Sequence, residues 1–234
     1  MMSKSPFIWL RLAETVVAHY RKKVAKIRAN YQTSPLIEKI YKTEAHTFYV
    51  LPGSDYSVWK RFCGNDEITL EFGEKCARNA IALAETNEEV ANQAMFIDAY
   101  LSLEMGNGRR AVEMGNKLLS RETNEEKKFH YAIYVAQGYF MMGNIEAADR
   151  QLKKNILQST ARELDRKLYT AFAQTSACVS IASHDTQMLK SNLKKASEQR
   201  TSRPEVVLAS VASELQENNV ARAVEILKTS NISQ

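Results

Sequence analysis

The sequence predicts an all-α protein: an α-solenoid of antiparallel helix pairs behind a basic N-terminal helical extension. Three observations point there. Glycine (8) and proline (4) are scarce among 234 residues, and strand-to-strand turns depend on both, which disfavours a sheet-rich fold. Helix formers fill long uninterrupted runs. Of three Met-Gly-Asn tripeptides, those at 105–107 and 142–144 read as turns, each followed by an alanine-centred helix.

The elements follow in order. Residues 7–31, opened by Ser5-Pro6, read as an amphipathic helix. Trp9, Leu12, Ala13, Val16, Val17, Tyr20, Val24, Ile27 and Tyr31 share one face, and Arg11, Arg21, Lys22, Lys26 and Arg28 take the other. Ser34-Pro35 breaks the chain, and a shorter helix is expected at about 35–43. Residues 44–57 mix aromatic and β-branched side chains with the turn pair Pro52-Gly53, which implies a loop or a short extended piece. That stretch suggests two parts, a basic region over 1–65 and a helical domain over 66–234. From residue 66 helix follows helix, including a long one at about 161–183 with a partner at about 186–199. Glu88, Glu89, Glu125 and Glu126 stand at helix starts, where the helix dipole favours negative charge.

The turns recur. Gly106 and Gly143 are 37 residues apart, and weaker turns at Ser183 and Asn218 continue at 40 and 35. Ala111, Ala148 and Ala223 each follow a turn by five residues, and Ala99 and Ala136 precede one by seven. Small residues in both helices let their backbones approach, and Gly or Asn can take the left-handed conformation that ends a helix. One such pair cannot bury its apolar face alone, whereas stacked pairs can.

On these residues the chain resembles the tetratricopeptide repeat family over about residues 88–228. The best copy is "AIYVAQGYFMMGNIEAADRQLKKN", with Ala136, Tyr139, Gly143 and Ala148 in order. The copies are degenerate. No tryptophan opens a first helix, no proline closes a second, and the third copy has Met188 in the alanine position. The resemblance implies a groove lined by the first helix of each pair. Carried over, it would hold Gln93, Phe96, Tyr100, Leu103 and Glu104 from one copy, and His130, Ile133, Gln137, Phe140 and Met141 from the next. Such a mixture of aromatic, thioether and amide groups suits an extended peptide or a partner helix. The same residues are equally compatible with core packing.

Catalytic signatures are absent: no HExxH, CxxC or GxSxG motif and no glycine-rich phosphate loop. His46 and Cys63 are near in sequence, but nothing supplies a third, orienting group. Asp185, after His184, fits a helix cap better than a metal ligand. Neither a metal nor a cofactor is expected. Cys63, Cys76 and Cys178 are odd in number and widely spaced, which implies reduced, buried thiols in a cytoplasmic setting. No run of about 18 apolar residues suggests a membrane span. Arg11 and Glu14 interrupt the apolar N-terminus, so no signal peptide is expected.

The net charge is +5, yet residues 1–61 hold eleven Lys and Arg against four Asp and Glu. This asymmetry leaves two readings of the basic helix. Arg11, Arg21, Lys22, Lys26 and Arg28 could meet phosphates of nucleic acid or an acidic surface, or the helix could cap the open end of a solenoid. The expected function is a non-enzymatic protein-binding module: an adaptor, assembly factor or specialised chaperone. The alternative is a nucleic-acid-associated or regulatory protein. An uncapped solenoid end would also permit homo-oligomers.

Overall fold

The computed structural model describes residues 4–32, 39–42, 47–50, 68–84, 87–156, 166–185, 187–191, 193 and 204–232. Helices dominate: α1 (Pro6–Gln32), α2 (Leu70–Leu83), α3 (Glu88–Glu104), α4 (Gly108–Arg121), α5 (Glu125–Met141), α6 (Ile145–Ile156), α7 (Arg166–Ala182), α8 (187–191), α9 (Pro204–Gln216) and α10 (Val220–Ile232). Between α1 and α2 lies one antiparallel hairpin, β1 (Lys39–Lys42) and β2 (Thr47–Val50), with Ile40 opposite Tyr49 and Tyr41 opposite Phe48. The helix expected at 35–43 is therefore wrong over 39–42. The β-branched and aromatic residues of both segments favour a ladder over a helical turn. The Pro52-Gly53 turn, His46, Cys63 and the boundary expected near residue 65 lie outside the described residues.

Neighbouring helices pack in sequence order. In addition, each odd-numbered helix touches the next odd one: α1 meets α3, α3 meets α5, α5 meets α7, and α7 meets α9. Burial follows this arrangement. The even helix α4 buries a single stripe, Gly108, Ala111, Met114, Gly115 and Leu118. The odd helix α5 is covered nearly all round, from Phe129 through Gly138. Amphipathic and wholly apolar helices are thus assigned to different positions by their sequences.

The N-terminal helix belongs to this packing. Leu10 shares a core with Ala80, Ala84, Val90 and Ala94, and Ala13 with Cys76 and Ala77. Val16 closes onto Gly73, where an added Cβ would stand 2.8 Å from its Cγ1. The buried stripe of α1 is Leu10, Ala13 and Val16, while Leu12 is exposed. Ala13 and Val16 lie on the face expected from spacing, whereas Leu12 does not join it and Leu10 does, packed against Ala80 and Ala84.

Four turns share one set of hydrogen bonds. Gly106, Gly143, His184 and Asn218 all have positive φ, between 58° and 76°. The amide after each reaches back to the carbonyl five residues earlier: Asn107 to Ser102, Asn144 to Tyr139, Asp185 to Ser180 and Asn219 to Glu214, at 2.7–3.0 Å. These bonds satisfy carbonyls left over at the helix end. The same four residues then cap the next helix, their side-chain oxygens accepting from the amides of Arg110, Ala147, Met188 and Arg222. The third turn therefore pivots on His184, not Ser183, and Asp185 is a cap. Five residues on stands Leu189, fully buried, so Met188 does not occupy the alanine position.

Helices α4 and α5 meet through glycine. An added Cβ on Gly108 would lie 2.5 Å from the Gly138 carbonyl oxygen, and one on Gly115 2.5 Å from Val135 Cγ2. Across the α3–α4 pair, buried Asp98 (0% exposed) accepts from Arg110 Nη2 at 2.7 Å and Nε at 3.2 Å. Burial pushes the Asp98 carboxyl up, and the Arg110 guanidinium opposes only part of that shift.

Gly138→Ala should lower stability by about 1–3 kcal/mol in urea unfolding, through overpacking against a backbone oxygen. Gly106→Ala should cost about 1–2 kcal/mol through its left-handed φ alone, and Gly106→Asn should recover most of that loss. Arg110→Ala should cost about 3 kcal/mol at neutral pH, because a buried carboxylate loses its cation. A raised carboxyl holds its proton more tightly in the folded state, so its contribution is full at acid pH and lost as pH rises. The Arg110→Ala deficit should accordingly be small near pH 4 and widen toward pH 7.

Candidate partner-binding groove

Helices α3 and α5 carry the residues singled out by sequence, and they divide into two groups. The first forms an aromatic layer between α3 and α5. Phe96 stacks on Tyr134 with ring centroids 5.2 Å apart and planes 4° from parallel. His130 stands edge-on to both, at 4.9 and 5.0 Å. Such geometries match the quadrupoles of the rings. Ile133 is buried (1% exposed) against Phe129, Leu168 and Phe172, so it is core and not a groove residue. Gln93 is exposed and donates to Glu89 one turn away.

The second group lines an open pocket of about 310 Å³ between α3, α5 and α7. Leu103 and Glu104 come from α3, Gln137, Phe140 and Met141 from α5, and Gln174, Thr175 and Cys178 from α7. Gln137 Nε2 donates to Thr175 Oγ1 at 2.9 Å, and that hydroxyl donates to the Ala171 carbonyl at 2.9 Å. This fixes the Gln137 amide across the α5–α7 seam. Met141 is 49% exposed at the rim. The walls are mostly apolar, and Glu104 is the sole charged lining residue.

Gln174, Thr175 and Cys178 are not assigned from the sequence, because the third copy is too degenerate to map onto the groove. With the pivot at His184, Gln174 and Cys178 stand ten and six residues before the turn, where Phe96 and Tyr100 stand before Gly106. Ile133 and Gln137 hold the same offsets from Gly143. The signal was the Asp185 cap, which forces the preceding residue into the left-handed position. Cys178 also corrects the expectation of buried thiols. It lies on an exposed position at the pocket wall, whereas Cys76 is core.

Helix α1 closes one end of this face. Tyr20 Oη donates to Glu104 Oε2 at 2.7 Å, and the Arg21 guanidinium carbon sits 5.0 Å from the Tyr100 ring centre. Burial, then the Glu104 charge, push the Tyr100 phenol up. Burial and the Arg21 charge push His130 down, which keeps it neutral. Of the residues considered for phosphate, Arg21 is thus spent on Tyr100, and Arg11 pairs with Glu14 at 2.6 Å while remaining exposed. Lys22 is exposed. The side chains of Lys26 and Arg28 lie outside the described residues.

No protein-family model and no curated protein matches this chain. Among the described residues no helix is long and apolar enough to cross a membrane, and no three His, Cys, Asp or Glu side chains are grouped to hold a metal ion.

His130 sets an acid limit on this layer. Its lowered pKa means that the unfolded chain binds the proton first, so its contribution is full above the ordinary histidine value and lost as pH falls. Urea midpoints should fall between pH 7 and pH 5, and His130→Gln should flatten that slope. An unchanged slope would show that His130 is not its source.

Proposed function

We propose that this chain is a non-enzymatic interaction module, an adaptor, assembly factor or specialised chaperone, built as a tetratricopeptide-like solenoid that holds a partner segment against its odd-numbered helices. The observation that carries this reading is the pocket between α3, α5 and α7, which gathers Leu103, Glu104, Gln137, Phe140 and Met141 from the groove read in the sequence. A concave, mainly apolar site with a few fixed polar groups is the usual form of a recognition site. The solenoid reading draws support from the contacts between successive odd helices and from the four turns with one hydrogen-bond pattern. A cytoplasmic home, with Cys76 and Cys178 as free thiols, belongs to the same proposal.

The test is affinity capture of the tagged chain from its native cells, beside a Gln137→Ala/Met141→Glu variant. A protein retained through nuclease and high salt by the parent, and lost by the folded variant, is the expected outcome. Equal retention by both would end the groove reading.

One observation favours the second reading, a nucleic-acid-associated or regulatory protein. Val16 already faces Gly73 near the start of α2, and Tyr20 reaches Glu104 at the end of α3. The rest of α1, through Gln32, therefore runs about 18 Å beyond Tyr20 at 1.5 Å per residue. This overhang carries Lys22, Lys23, Lys26 and Arg28. Loss of every partner on nuclease or salt treatment in the same capture would favour it.

A further inference from the structure

Glu104 stands apart from the other charges near the groove. Glu14, Glu74, Glu113, Glu125 and Asp149 each meet a cation of their own helix within 3 Å. Among the described residues Glu104 pairs with no cation; it is held by the Tyr20 hydroxyl, from a different helix. The donor uses one carboxylate oxygen and neutralises no charge, and a carboxylate has room for about four hydrogen bonds. Arg21 of α1 is turned onto the Tyr100 ring. The result is a fixed, exposed negative charge on the wall of a pocket whose other lining residues are uncharged.

The pocket's volume, about 310 Å³, lies at the low end for ligand sites, which run from about 300 to 1,000 Å³. It suits a single large apolar side chain, not a whole helix face. Leu103, Phe140, Met141 and Cys178 supply the apolar contact, and the Gln137 amide, locked by Thr175, offers its carbonyl oxygen to a backbone N–H. Neighbouring side chains of an extended segment point to opposite sides, so a flexible cation beside the buried residue can turn back to the wall.

We infer that the α3–α5–α7 pocket recognises an extended partner segment in which a large apolar residue lies next to a lysine or arginine, the apolar side chain entering between Phe140, Met141 and Cys178 and the cation pairing with Glu104. This rests on the groove reading above and adds the chemistry of the occupant. Complementary charge at a partly exposed site sets specificity more than affinity. The expected effect is therefore a change of preference.

The probe is an immobilised degenerate peptide library with one fixed large apolar position and a varied neighbour, screened with the full chain. Enrichment of Lys or Arg at the varied position is expected. Glu104→Gln keeps an acceptor for Tyr20 and removes the charge, and it should erase that enrichment with a loss of about fivefold in affinity for the selected peptides. Glu104→Lys should turn the preference toward Asp or Glu. Peptides that bind the parent, fail on Met141→Glu and show no charge preference would overturn this inference while leaving the groove reading standing. Absence of any binding sensitive to Met141→Glu would overturn both.

Discussion

Two helix backbones meet without a side chain between them at Gly108 and Gly138, where α4 crosses α5. Gly108 faces the carbonyl of Gly138, and Gly115 receives Val135. At such a distance the packing tolerates no alternative alignment, because interiors are close-packed and a single methyl would have to displace backbone. The crossing fixes α5, and α5 carries most of what matters elsewhere. One of its faces holds the aromatic layer against α3, another the core shared with α6 and α7, and its last turn the pocket rim.

The turns make that arrangement affordable in chain length. Each joins two helices through one left-handed residue and one capping Asn or Asp, so that donors and acceptors at both helix ends are satisfied within a few residues. Asp98 and Arg110 add a polar tie across the α3–α4 pair. The tie is expensive, since a buried carboxylate is desolvated, but it admits one alignment only, with two guanidinium nitrogens on a single oxygen.

The aromatic residues of α3 and α5 are divided between interhelical packing and the pocket wall. Phe96 and His130 are consumed by stacking between helices, and Tyr100 is covered by Arg21. Phe140 and Met141, three and two residues before their turn, instead border the pocket between α3, α5 and α7, and Leu103 lines its wall while packed in the core. Core and groove were indistinguishable in sequence at these positions. Both require apolar groups at the same helical spacing, and only the separation of the next odd helix decides between them.

Local chemistry by itself determined the described helices from Leu70 onward, the Gly106 and Gly143 turns, the acidic helix starts and the cap at Asp185. Each depends on residues within one or two helical turns, and short-range steric and hydrogen-bonding rules suffice. Tertiary structure alone decided the rest. The hairpin at 39–50 needs a partner strand, so Ile40 and Tyr41 carried no decisive local signal. The buried stripe of α1 was chosen by the small residues of α2. Gln174, Thr175 and Cys178 joined the site because α7 lies beside α5, a neighbour across a seam between helices, which no helical period encodes.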